Sequence, residues 1–297
     1  MIPVTTIGGY LGAGKTTLVN QLLRQADGRR LAVLVNEFGA LPIDADLIEA
    51  RDGDMISIAG GCICCSFGND LIGALRDLAQ LSPAPDHILI EASGVAIPSG
   101  IAASVSLLPE YELGAVVVLA DVETIEAQAQ DAYLGDTILR QLSDADLVLA
   151  TKGDLVAEGK QSGALSWLQE QAPRAGVVAV TNGQVSLDVV LGPRAGFDEI
   201  VGAGHADALF RSRVVDAPNP VDVKAVAARL ASEEFGLVRA KGFLQGEDGR
   251  THLLQMVGKR VDVSAYDGPV SRFALVCINR ADAADFSSEA LFGVHPS

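Results

Sequence analysis

Apolar residues in this chain come in short unbroken runs set apart by polar, glycine-rich stretches. That spacing marks strands buried on both faces rather than strands with one wet side. Residues 2–7, 31–36, 87–91, 114–121, 145–150 and 177–180 are such runs, and residues 55–58 form a shorter one. A helical period starts at Leu18, directly after the first run, and ends near Gly28. Strands of this kind alternating with helices predict an α/β fold, a doubly wound and mostly parallel sheet. From Gly192 to Gly204 the pattern breaks into Gly, Pro and Ala, the composition of a linker. Beyond it, residues 211–215 read as a strand and residues 220–234 as a helix with its proline near the first turn. Residues 237–245 and 251–257 then form a hairpin across Glu247 to Arg250, and residues 273–278 a last strand. The division expected is 1–191 for the first domain, 192–210 for the linker and 211–297 for a smaller α+β domain.

Composition narrows the partners. A length of 297 residues suits one large or two modest domains. A net charge of −16 argues against nucleic acid, whose phosphates need clustered Lys and Arg. No uninterrupted apolar stretch reaches membrane-spanning length, and no basic region precedes the first apolar run, so a cytoplasmic protein without a membrane partner is expected. Three of the four cysteines fall within Cys62 to Cys65, which is a soft-metal or redox pattern rather than a disulfide framework.

The chemistry concentrates after the first run. Gly9, Gly12, Ala13, Gly14, Lys15, Thr16 and Thr17 carry the spacing of a phosphate-binding loop between a strand and a helix. Glycines there let successive backbone N–H groups turn toward phosphates, and the helix adds its positive end. Lys15 is then placed for the outer phosphates and the Thr16 hydroxyl for magnesium. Glu91 ends an apolar strand as a carboxylate, fit to hold the same ion, and Gly94 follows where a backbone N–H can approach the terminal phosphate. Asn36, Glu37, Phe38 and Gly39, with Asp44, follow another strand; a nucleotide-sensing loop and an ordinary strand exit fit them equally.

Cys62, Cys64 and Cys65 follow two glycines that permit a turn, so three thiolates can converge on Zn(II), Cu(I) or a similar ion. Three ligands leave a tetrahedral site open, which suits an ion that is handed on; buried or redox-active thiols are the alternative. Thr151, Lys152, Gly153 and Asp154 resemble the guanine-recognition signature of G proteins, in which the carboxylate accepts from two guanine N–H groups. Asn182 and its neighbours are placed to contact the guanine oxygen.

Together these segments resemble the CobW-type metal-chaperone GTPases of the P-loop class, relatives of HypB and UreG. The resemblance runs from Gly8–Thr17 through the Cys-x-Cys-Cys segment and the Glu91, Gly94 and Pro98 segment to residues 239–243 and 255–258 of the second domain. It implies slow GTP hydrolysis coupled to the binding and delivery of zinc, or else cobalt or iron, to a client metalloprotein. It also implies the three cysteines as ligands, with Glu37 as a further one. Two features depart from the family. Thr151 stands where Asn is usual, and only His205 lies where many members carry a histidine-rich tract.

The function expected is that of a GTPase using Mg2+ with GTP and carrying a transition-metal ion. Lys15, Glu91 and Gly94 would serve hydrolysis, and a nucleotide-dependent homodimer is among the partners this reading admits. A small-molecule P-loop kinase, or a nucleotide-gated binding or redox-sensing module, is the alternative. The first would prefer ATP; the second would keep its zinc stoichiometry without the cysteines.

Overall fold

The computed structural model describes residues 1–26, 28–36, 55–60, 69–181, 184–192, 210–270, 272–281 and 283–293. They form two compact units, Met1–Leu191 and Gly192–Ser297.

In the first unit the apolar runs become β1 (Ile2–Gly9), β2 (Leu31–Asn36), β3 (Met55–Gly60), β4 (His87–Glu91), β5 (Tyr111–Asp121), β6 (Leu147–Thr151) and β7 (Gly176–Ala179). The helices are α1 (Lys15–Arg24), α2 (Asn69–Ala79), α3 (Pro98–Val105), α4 (Ile125–Gln130), α5 (Gly135–Asp144), α6 (Glu158–Gln171) and α7 (Leu187–Leu191). The seven strands form one sheet in the order β3-β2-β4-β1-β5-β6-β7, and every pairing in it is parallel. A parallel sheet needs a crossover after each strand, which puts helices over both faces and explains why its strands read as unbroken apolar runs.

Two cores result. Val4, Ala32, Leu34, Ile88 and Ile90 pack with Leu71, Leu75, Leu78 and Ile101. Val116, Val118, Ala120, Val148 and Ala150 pack with Ile138, Leu142 and Leu168. From β1 the chain runs to β2 and β3 on one side of the sheet, and from β4 it crosses past β1 to β5 on the other. In open α/β sheets such a switch point, at the carboxyl ends of the strands, is where ligands bind.

The second unit is a five-stranded antiparallel sheet, β11-β10-β9-β12-β8, built from β8 (Phe210–Asp216), β9 (Leu237–Gln245), β10 (Thr251–Val257), β11 (Arg260–Ala265) and β12 (Ala274–Arg280). Helices α8 (Val223–Leu230) and α9 (Ser288–Phe292) contribute Val226, Leu230, Leu291 and Phe292 to its core. Two details differ from the sequence expectation. The helix expected over 220–234 covers only Val223–Leu230; it starts at 223 because the Asp222 side chain caps it, accepting from the N–H groups of Lys224 and Ala225 at 3.0 and 3.1 Å. Strand β11 has no counterpart in the apolar pattern, since it is an edge strand with largely exposed side chains.

Cys277 lies in the core of this unit, where burial pushes its thiol up to about 12 against the opposing charge of Arg213. A raised value keeps the folded form protonated where an unfolded thiol ionises, so the native side chain presents no thiolate at mildly alkaline pH. The expected outcome is that peptide-mapped iodoacetamide labelling spares Cys277 in native protein and modifies it readily in denaturant. Equal labelling rates would contradict this placement.

Candidate nucleotide-binding site

Parallel register brings the carboxyl ends of β1, β4, β5 and β6 to one edge of the sheet. Ile7 pairs with Glu91, Gly9 with Leu119, and Asp121 with Thr151. The loop that leaves β1 there depends on its glycines in two different ways. Gly9 has φ 125°, and a Cβ on it would sit 2.4 Å from the Leu119 carbonyl oxygen, so β5 leaves no room for a side chain. Gly12, at φ 79°, has open space around it, and only its backbone conformation calls for glycine. Gly14, in the left-handed region, is the N-cap of α1, and its carbonyl accepts the first helical bond from Leu18 N–H at 3.0 Å. Ala13 N–H bonds back to the Tyr10 carbonyl at 3.2 Å, which closes the loop into a turn.

Lys15 is only 8% exposed, and its ammonium donates to the carbonyls of Gly9 at 3.0 Å and Tyr10 at 3.3 Å. It is thus a buried cation held inside the curve of the loop. Thr16 donates its hydroxyl to Glu91 Oε1 at 2.9 Å, and Glu91 is 2% exposed. A hydroxyl oxygen and a carboxylate so close to the loop are the oxygen donors that a hard divalent cation takes. Thr17 is exposed on the first turn of α1.

A second loop stands beside the first. Thr151 is buried, and its hydroxyl donates to the carbonyl of Ala13 at 3.0 Å and lies 3.3 Å from that of Ala120. It fastens the end of β6 to the phosphate-loop segment. Lys152 has φ 60°, the positive value for a non-glycine residue among those described, and its ammonium pairs with Asp121 Oδ2 at 2.6 Å. Asp121 in turn accepts the N–H of Glu123 at 2.9 Å. Gly153 begins a short 3-10 segment, Gly153–Leu155, that leaves Asp154 exposed.

Gly94 closes a third side. A Cβ on it would lie 2.8 Å from Leu11 N and 2.7 Å from Leu11 Cδ2, so the segment after β4 packs against the tip of the first loop.

The structure therefore brings Gly9, Gly12, Ala13, Gly14, Lys15, Thr16, Thr17, Glu91, Gly94, Thr151, Lys152 and Asp154 to one edge. Glu37, Cys62, Cys64, Cys65 and Asn182 lie outside the described residues. Among the described residues no group of three or more His, Cys, Asp and Glu is arranged to hold a metal ion. Two buried polar residues bonded to the segments around this edge escaped the sequence reading: Asp121, which pairs with Lys152, and Gln141, whose amide donates to the Gly94 and Ala96 carbonyls. Asp121 had a signal, a carboxylate ending a buried run as Glu91 does. Gln141 had a weaker one, a polar residue at the i+3 position from Ile138 on the inward stripe of α5.

The two glycine constraints separate experimentally. Gly12→Ala should cost about 1–2 kcal/mol, the penalty of a left-handed alanine. Gly9→Ala meets backbone as well and should cost more and abolish nucleotide binding. Denaturant titration and nucleotide binding on both variants check this, and equal losses would contradict it.

Among the described residues no helix is long and apolar enough to cross a membrane. The family profile described as CobW/HypB/UreG, nucleotide-binding domain matches residues 3–179, and that of the cobalamin synthesis protein cobW C-terminal domain matches residues 210–289. The zinc chaperone CobW of a Sinorhizobium species is 30% identical over 307 residues, spanning 88% of this chain and 86% of the relative. The zinc chaperone YjiA of Escherichia coli K12 is 31% identical over 291 residues, spanning 90% and 89%. The crystal structure of Zn(II)-bound YjiA GTPase from E. coli aligns over 98% of both chains with 24% identity and a TM-score of 0.48. By the profile match over more than half its length, this chain belongs to the CobW/HypB/UreG nucleotide-binding family.

Proposed function

We propose that the protein is a GTP-hydrolysing metallochaperone that carries zinc, or another transition-metal ion, to a client metalloprotein. The observation that carries the nucleotide half is the Thr16–Glu91 hydrogen bond at 2.9 Å beside the buried ammonium of Lys15. The names of two relatives, both zinc chaperones, support the metal half.

In this reading the backbone N–H groups of residues 12–16 and the N-terminal end of α1 receive the phosphates. Lys15 exchanges the Gly9 and Tyr10 carbonyls for phosphate oxygens, so its charge offsets what develops as the terminal phosphoryl group departs. Mg2+ bound with the nucleotide would be held by Thr16 and Glu91, and supplies charge neutralisation there. Gly94 offers its N–H to the terminal phosphate, a contact that hydrolysis removes. Asp154 accepts the ring N–H and exocyclic amine of guanine, Lys152 is held beside it by Asp121, and Asn182 and its neighbours meet the guanine oxygen.

The cargo ion is taken by the thiolates of Cys62, Cys64 and Cys65, with Glu37 as a further ligand. Strand β3, which leads to the cysteines, ends at Gly60 opposite Asn36 of β2, and β2 pairs directly with β4 at Glu91. Two strand spacings, about 10 Å, separate these ends. That distance supports reciprocal coupling between nucleotide state and metal affinity.

Loss of the two charge-assisted bonds in Asp154→Ala should weaken guanine-nucleotide binding by about 2–4 kcal/mol, roughly 30- to 1,000-fold, while leaving ATP affinity unchanged. A wild-type preference for ATP in competition assays would refute guanine selection. For the metal, zinc titration with a non-hydrolysable GTP analogue and with GDP should give different affinities, and replacing all three cysteines with serine should remove the bound ion. Equal affinities would sink the coupling, and unchanged zinc stoichiometry in the triple variant would sink the site.

A further inference from the structure

Gln141 of α5 is 1% exposed, and its side-chain amide donates to two carbonyls of the segment after β4: Ala96 at 2.7 Å and Gly94 at 3.2 Å. Three residues further along the same helix, Asp144 accepts from the hydroxyl of Ser99. Helix α5 thus grips residues 94–99 at three points. Its own position is fixed, since Ile138 and Leu142 lie fully buried in the core with Val118 and Ala120. Gly94 for its part abuts Leu11 at the tip of the phosphate loop. A buried amide with no catalytic partner is a costly group to keep unless its donors are used, and here both go to the backbone of one short segment.

We propose that Gln141 is a positioning residue for the terminal phosphate: it sets where the Gly94 N–H stands, and so how far the site distinguishes GTP from GDP. The proposal rests on the GTPase reading above. Gln141 reaches none of Gly9–Thr17, Thr151, Lys152 or Asp154 in the hydrogen bonds described, so GDP, which lacks the terminal phosphate, is held without its help.

Two variants test this. Gln141→Leu removes both donors and keeps an apolar volume in place. Gln141→Glu keeps the shape but has no donor when ionised; burial raises its pKa, and the protonated form regains one O–H donor toward Ala96. Affinities for GDP and a non-hydrolysable GTP analogue, together with kcat and KM, are measured on the full chain. In Gln141→Leu the analogue should weaken about tenfold, GDP should change by less than about twofold, and kcat should fall. Gln141→Glu should weaken the analogue at least as much as Gln141→Leu at about pH 9, where its carboxylate also repels both carbonyls, and should recover toward wild type as the pH falls to about 6.

Equal weakening of both nucleotides, or a Gln141→Glu profile parallel to wild type, overturns the proposal. If Gln141→Leu fails to fold, the two ends of the Gln141→Glu profile give the same comparison within one protein. Wild-type protein that binds neither guanine nucleotide removes the GTPase reading and this inference together. Wild-type protein that hydrolyses GTP while both variants behave as it does removes only the inference.

Discussion

The contact between Gly9 and the Leu119 carbonyl is the constraint on which the site depends. Strand β1 lies between β4 and β5 in an all-parallel sheet, and its last residue runs so close to β5 that a methyl group would strike backbone oxygen. With φ at 125° the chain then turns out of the sheet, which a residue with a Cβ resists. That turn aims the loop over the edge, delivers Lys15 back toward the Gly9 and Tyr10 carbonyls, and starts α1 at the point where Thr16 meets Glu91. Each of these contacts depends on the close approach of one strand pair.

Much of this was legible in the sequence because the physics that produced it is local. A strand covered on both faces has no polar side, so runs such as 31–36 and 87–91 identified themselves. The phosphate loop was legible because backbone N–H groups can converge only where glycines allow it. The start of α8 was not, because Asp222 competes with the preceding proline to start the helix and wins by capping two N–H groups. Strand β11 was hidden for the opposite reason to β2: an edge strand with a wet surface needs no apolar run.

The candidate site was legible wherever a motif fixes backbone and side chain together, and obscure wherever residues far apart in sequence cooperate. Thr151 illustrates the difference. It departs from the usual Asn, and its hydroxyl reaches both the Ala13 and Ala120 carbonyls, a bond that no pattern within the tetrapeptide announces. Asp121 and Gln141 belong to the same group. Each acts on a segment that folding, rather than sequence, places beside it.

The Thr151 bond also bears on how a nucleotide is held. By tying the loop after β6 to the loop after β1 through a buried hydroxyl, it joins the two recognition surfaces of the proposed function to each other. Under the proposed function a nucleotide would then behave as a bivalent ligand: once the base is seated, its phosphates meet the second surface at an effective concentration set by that link. Affinity for the whole molecule can therefore greatly exceed what either end achieves alone.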